Sequence, residues 1–241
     1  MKSKEKDPKI KLNSEKVQQR EREIKVVKIG LIIMLLFLII IYFLLRVVYE
    51  TGHFTITLDS NFAEKSGLVM YESLQEKEER VILKAEKVEF MDNISYKWLP
   101  DNLNNERDGS HNGKNYLAYT FYIENKGSDV INYWYKIDID DIIKNVDKAI
   151  RVMVYLNGEY TVYARPNERT GGTETERDLK NFVSDMQVCL EQTTNFRPGQ
   201  IDKFTIVVYI EGDDPDCIDD LIGGELKMHM DITEEHFLQV E

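Results

Sequence analysis

The densest run of chemically capable side chains is EGDDPDCIDDLIGGE, Glu211 to Glu225, which places Asp213, Asp214, Asp216, Asp219 and Asp220 close together. Oxygens at this density can hold Ca²⁺, a cation that takes about six to eight oxygen ligands at about 2.3–2.6 Å. The spacing is not that of a D-x-D-x-D-G calcium loop. The same residues also suit a short helix. Asp214 is a natural N-cap, Pro215 a natural first helical residue, and Gly223 a natural terminator. Asp216, Asp219 and Asp220 then lie near the positive end of the helix dipole. The helix accounts for more of the pattern, and the five aspartates stand beside it as candidate Ca²⁺ ligands. A second acidic run, IDIDDIIKNVD from Ile137 to Asp147, alternates Asp138 and Asp140 as a solvated strand face does; a metal there is the lesser reading.

The remaining chemistry is sparse. Four histidines occur, His53, His111, His229 and His236, without the H-E-x-x-H spacing that sets two zinc ligands on one helical face. His229 falls on the polar face of its strand, and His236 follows Glu234 and Glu235 in a polar C-terminal stretch. The chain holds no G-x-S-x-G elbow, no phosphate-cradling glycine loop and no cysteine with a local histidine partner. The expectation is no catalytic residue and no cofactor, so the reading leans away from an enzyme. Cys189 and Cys217 are the only cysteines. They are disulfide candidates in an oxidising compartment, or else two buried free thiols; spacing alone does not decide.

The element that positions everything else is IGLIIMLLFLIIIYFLL, Ile29 to Leu45, uncharged throughout and bracketed by Lys28 and Arg46. Counted from Val26 to Val48 it reaches about 34 Å as a helix, enough to cross a hydrocarbon core of about 30 Å. No A-x-A-like cleavage step follows it, so it reads as an uncleaved signal anchor. Residues 1–28 carry ten Lys/Arg against five acids, whereas the chain beyond Arg46 carries 20 against 38. Basic flanks remain in the cytoplasm, which orients the acidic part outward at the cell membrane. So acidic a surface excludes the counter-charge that nucleic-acid binding requires. The expected organisation is a basic cytoplasmic tail over 1–25, helical near the membrane over 14–25, and a transmembrane anchor in the bilayer over 26–49. A juxtamembrane strand and connector over 50–80 then leads to an extracytoplasmic domain over 81–241.

Beyond the anchor, period-two alternation dominates. His53–Asp59 and Val81–Phe90 read as strands, with 60–80 ambiguous between them. Met91–Lys114 is a long loop that Trp98 and Leu99 are placed to pin. Four runs then put apolar residues on one face: Leu117, Tyr119, Phe121 and Ile123; Tyr133, Tyr135, Ile137 and Ile139; Phe204, Ile206, Val208 and Ile210; Leu226, Met228, Met230 and Ile232. Asn157-Gly158 between β-rich runs is a hairpin signal. Residues 140–148 suit a helical or looped connection, 165–177 a polar loop, and Met186, Val188 and Leu190 a further strand. Seven or eight short strands with little helix predict an all-β domain, an antiparallel β-sandwich attached to one N-terminal transmembrane helix.

The succession YTFYIENKGSDVINYWYKIDI, an NG hairpin, FRPGQIDKFTIVVYIEGDDPDC and IGGELKMHMDI resembles the TasA/camelysin type of Gram-positive surface β-sandwich proteins, over about residues 116–232. The resemblance implies a jelly-roll or Ig-like sandwich, cell-surface association and, in some members, self-assembly into fibres. Camelysin-type members are described as metalloendopeptidases, but no zinc motif here matches that activity. The retained anchor also departs from the family pattern. The expected function is a non-enzymatic ectodomain that binds a protein or cell-envelope partner or helps build a surface assembly. A membrane-anchored metalloendopeptidase and a bitopic scaffold of a secretion or division complex are the alternatives.

Overall fold

Residues 8–49, 54–167 and 179–234 are described by a computed structural model. The chain divides into two units, Met1–Thr51 and Gly52–Glu241. The first is a helix, α1 (Pro8–Tyr49), opened by a proline whose missing N–H costs nothing at a helix start. Its segment Gln19–Leu44, 26 residues, is long and apolar enough to cross a membrane. Large side chains along it stay exposed, Leu31 at 61% and Leu44 at 62% among them.

The second unit is mostly β. Its elements are β1 (Thr55–Leu58), α2 (Ser60–Ser66), β2 (Leu68–Tyr71), β3 (Ile82–Lys84), β4 (Gly109–Ser110), β5 (Tyr116–Asn125) and β6 (Ile131–Ile143), followed by β7 (Ile150–Leu156), β8 (Glu159–Ala164), β9 (Leu179–Asn181), β10 (Gln187–Phe196), β11 (Ile201–Ile210) and β12 (Glu225–Glu234). One sheet has the order β10-β6-β12-β1-β3; the other runs β2-β5-β11-β7-β8-β9, with β4 also on β5. The expectation of a purely antiparallel arrangement is corrected: β1 runs parallel to β12, and β8 parallel to β9. Hairpin turns enforce antiparallel neighbours, but β1 and β12 lie at opposite ends of this unit's sequence, where no turn fixes their direction. The expected boundary at residue 81 is corrected as well. β1 sits between β12 and β3, and β2 pairs with β5, so residues 55–71 belong to both sheets.

The alternating faces become the core. Tyr119, Phe121, Ile123, Tyr133, Ile137, Phe204, Ile206, Met230 and Ile232 are all fully buried in a cluster that draws from both sheets. Tyr135 of β6 meets Phe204 of β11 edge-on, with ring centroids 5.2 Å apart, and Phe204 stacks on Phe121 at 5.2 Å. A second cluster lies beneath the 91–114 segment, where Ile94 and Leu103 cover Ala118, Met153, Val162, Val207 and Tyr209. This is why β5 is buried on both faces along most of its length. Trp98, expected to pin that loop, is 74% exposed; Leu99, expected beside it, packs against the cluster that Ile94 and Leu103 anchor. The 140–148 connection is also shorter than expected. β6 continues to Ile143, and a 3₁₀ turn at Val146–Lys148 follows. The 165–177 loop from residue 168 onward, His53 and His236 lie outside the described residues.

Candidate functional site

The acidic run after β11 is consumed by local structure. Asp214 is buried and pairs with Arg151 of β7, Nη2 to Oδ2 at 2.6 Å, with both side chains 4% exposed. Its other oxygen accepts the Asp216 N–H at 2.7 Å. Asp213 Oδ2 accepts from the Ser95 hydroxyl at 2.9 Å, and Asp216 Oδ2 accepts from Asn167 Nδ2 at 3.2 Å. The expected helix does not form. Asp214 receives its cap-like bond, but successive turns follow, and only Asp219–Leu221 forms a 3₁₀ turn. An aspartate committed to a buried arginine on another strand is held where the sheet puts it, and the backbone after it follows that anchor. Gly223, expected to end that helix, instead turns the chain into β12 at φ +74°. The five aspartates therefore do not converge: Asp214 faces a cation already, Asp213 and Asp216 hold separate loops, and Asp219 and Asp220 are exposed.

The two disulfide candidates, Cys189 and Cys217, are both free cysteines. Cys189 is fully buried on β10 opposite Ile137, and burial pushes its thiol up to about 12. Cys217 lies in the turn after β11, where its Sγ accepts from Asn93 Nδ2 at 3.2 Å. Each sulfur is set by a different element, which is what spacing alone left undecided.

A different constellation forms on the polar face of the five-stranded sheet. In β6, Lys136, Asp138 and Asp140 alternate outward; in β12, His229 and Asp231 do the same. The antiparallel register sets His229 opposite Asp138 and Asp231 opposite Lys136. Lys136 Nζ lies 2.6 Å from Asp138 Oδ2 and 3.3 Å from Asp231 Oδ2. Burial works against the ammonium charge, but these two carboxylates outweigh it and raise the Lys136 pKa. Asp138 Oδ1 accepts from Gln187 Nε2 of β10 at 2.8 Å. His229 Nδ1 is 2.7 Å from Asp140 Oδ1. An ionised carboxylate only accepts, so this contact assigns the ring hydrogen to Nδ1 and leaves the Nε2 lone pair free in the neutral ring. Nε2 points between two carboxylates, 3.5 Å from Asp231 Oδ2 and 3.9 Å from Asp138 Oδ2. Asp138, His229 and Asp231 are the metal-competent group among the described residues.

Period-two alternation placed Asp138, Asp140 and His229 each on a polar face. Nothing in the sequence placed the two strands side by side. The pairing spans 89 residues between Asp140 and His229, and its register depends on a shift between Lys227 and Met228. A bulge of that kind decides which outward residues meet.

No family model matches the chain, and no curated protein matches it. Among solved structures, a β-glucosidase from Kluyveromyces marxianus aligns at 13% identity with a TM-score of 0.26, covering 70% of this chain and 16% of that enzyme. The same enzyme in complex with glucose aligns at 13% identity with a TM-score of 0.24, covering 70% of this chain and 15% of that one. The chain thus spans under a fifth of either enzyme's length, and likeness at this level carries no functional argument.

Proposed function

We propose that this chain is a single-pass membrane protein with its N-terminus in the cytoplasm. It presents a non-enzymatic β-sandwich outside the cell, and that domain binds a protein or cell-envelope partner. The observation that carries the reading is the pairing of an exposed apolar segment, Gln19–Leu44, with a separate β-rich unit. The exposed apolar side chains from Ile29 to Leu44 favour a non-aqueous surrounding. The ten basic residues of 1–28 favour retention of that end in the cytoplasm. The sandwich reading rests on the apolar cluster that both sheets share and on the Tyr135–Phe204 contact across it. The binding reading rests on how the carboxylates are used: Asp213, Asp214 and Asp216 order loops at one end of the β unit. Ordered loops on a sheet scaffold are where recognition is commonly built.

Protease added to intact cells tests the topology. The expected result is loss of the β-rich unit with protection of an epitope fused to residue 1. A protected β-rich unit would overturn the proposal. Replacing residues 1–49 with an unrelated anchor tests where function resides: cross-linked adducts at the cell surface should persist after the swap. Their disappearance would move the function to the tail and span, and chelator-sensitive proteolysis by the purified chain would replace binding with hydrolysis.

A further inference from the structure

We infer that Asp138, His229 and Asp231 form a binding site for a divalent transition-metal ion of the zinc class, joining β6 to β12 on the outer face of the five-stranded sheet. The inference concerns metal binding alone and goes beyond the partner-binding function proposed above.

Three observations carry it. The first is ligand geometry. Donor atoms bonded at about 2.0–2.1 Å to one tetrahedral ion lie about 3.3 Å from each other. His229 Nε2 lies 3.5 Å from Asp231 Oδ2 and 3.9 Å from Asp138 Oδ2, and all three donor atoms lie within 4.8 Å of one another. Contraction of these separations toward about 3.3 Å brings the three donors to one ion.

The second is the histidine itself. Nδ1 lies 2.7 Å from Asp140 Oδ1, and a hydrogen on that nitrogen leaves Nε2, which faces the two carboxylate oxygens, as the ligand atom of the neutral ring. One imidazole nitrogen and two carboxylate oxygens facing a common point are a donor set that a divalent ion can take. A carboxylate on the far nitrogen is also the usual support of a metal-ligating histidine, because it fixes the tautomer and raises ligand basicity.

The third is Lys136, whose ammonium rests on the same two oxygens that would bind the ion. The site already holds one positive charge, so a metal must displace it. Lysine can leave: its long stem has several rotatable bonds, and its side chain is 28% exposed. One nitrogen and two carboxylate oxygens favour zinc-class ions over Ca²⁺ or Mg²⁺, which prefer oxygen alone. With three protein ligands, a fourth position faces solvent.

Zinc titration of the full-length chain in detergent, followed by calorimetry and by cobalt absorbance, tests the site. The expected result is one zinc per chain and tetrahedral Co²⁺ bands. His229→Ala and Asp231→Asn should abolish both, while His236→Ala should leave them unchanged. Asp140→Asn should weaken binding by about 10–100-fold without abolishing it. Lys136→Gln removes the competing cation and should tighten binding by about tenfold or more. That gain cannot arise from misfolding. No zinc binding at about 100 μM would overturn the site, given that Kd values above this are weak for a three-ligand zinc-class centre. So would binding that survives His229→Ala, or affinity that Lys136→Gln leaves unchanged.

Discussion

At the scale of single residues, the acidic run after β11 is defined by one contact. Arg151 and Asp214 are each 4% exposed and 2.6 Å apart, and the guanidinium also reaches the Ile150 carbonyl at 3.3 Å. Such a pair adds little over an apolar replacement, because both ions lose their hydration; removing one partner is a different matter. Asp214→Ala strands a buried guanidinium and releases the Asp216 N–H. It should cost about 3–5 kcal/mol, read as a lower urea midpoint for the chain in detergent. Asp219→Asn, on the exposed 3₁₀ turn, should stay within about 0.5 kcal/mol of the parent. Equal effects from the two substitutions would show that Asp214 is not the anchor. The composition of this run suggested calcium because sequence shows carboxylates without showing which cation each faces. Arg151 lies 63 residues away and carries no mark of the pairing.

At the scale of elements, the reversal from α2 into β2 shows local chemistry and long-range packing acting on one residue. Asp59 caps α2 by accepting the Phe62 N–H at 2.7 Å. Gly67 ends it in the left-handed region at φ +72°, where its N–H reaches the Ala63 carbonyl. A Cβ at Gly67 would also stand 2.6 Å from the Gly127 backbone. Gly67→Ala therefore carries about 1–2 kcal/mol of backbone strain plus that collision. The expected reading is a lower urea midpoint and faster exchange of the β2 amides paired to β5; an unchanged midpoint would count against both costs. The long strands were legible in the sequence. Tyr119, Phe121, Phe204 and Ile206 alternate inward because one face of each strand joins the apolar cluster that draws from both sheets. Alternation fails where both faces are covered or the ladder slips. β5 also buries Ala118, Thr120 and Tyr122, because the 91–114 segment lies over its other face. In β10 consecutive Val188 and Cys189 are both fully buried, across a register shift between Gln187 and Cys189. The metal-competent group was illegible for the same reason: alternation assigns a face, but only pairing and bulges assign a neighbour.

At the scale of the whole molecule, the core's many phenols set how the β-rich unit responds to alkali. Tyr71, Tyr119, Tyr122, Tyr133, Tyr135 and Tyr163 all have pKa values raised above the ordinary tyrosine range, with burial as the first cause in each. Carboxylate acceptors reinforce the shift: Tyr119 donates to Glu72 at 2.7 Å, Tyr122 to Asp108 at 2.6 Å and Tyr133 to Asp202 at 2.6 Å. A phenolate at any of these three positions would face its carboxylate partner at hydrogen-bond distance. In the unfolded chain the same groups ionise near pH 10. Their contribution to stability is therefore fully present below about pH 10, and it is lost as pH rises from there through the raised folded values. Cys189, pushed up to about 12, adds a loss of the same sign that begins near the unfolded thiol value of about 8.5. The melting temperature of the β-rich unit should hold near neutrality, begin to decline above about pH 9 and fall steeply above about pH 10. Tyrosinate absorbance should then rise in two steps: the exposed members of the 13 tyrosines first, and the buried ones only as near-ultraviolet dichroism collapses. A single ionisation near pH 10 with the dichroism intact would mean that these phenols reach water in the folded state, and the tightly closed core described here would be wrong.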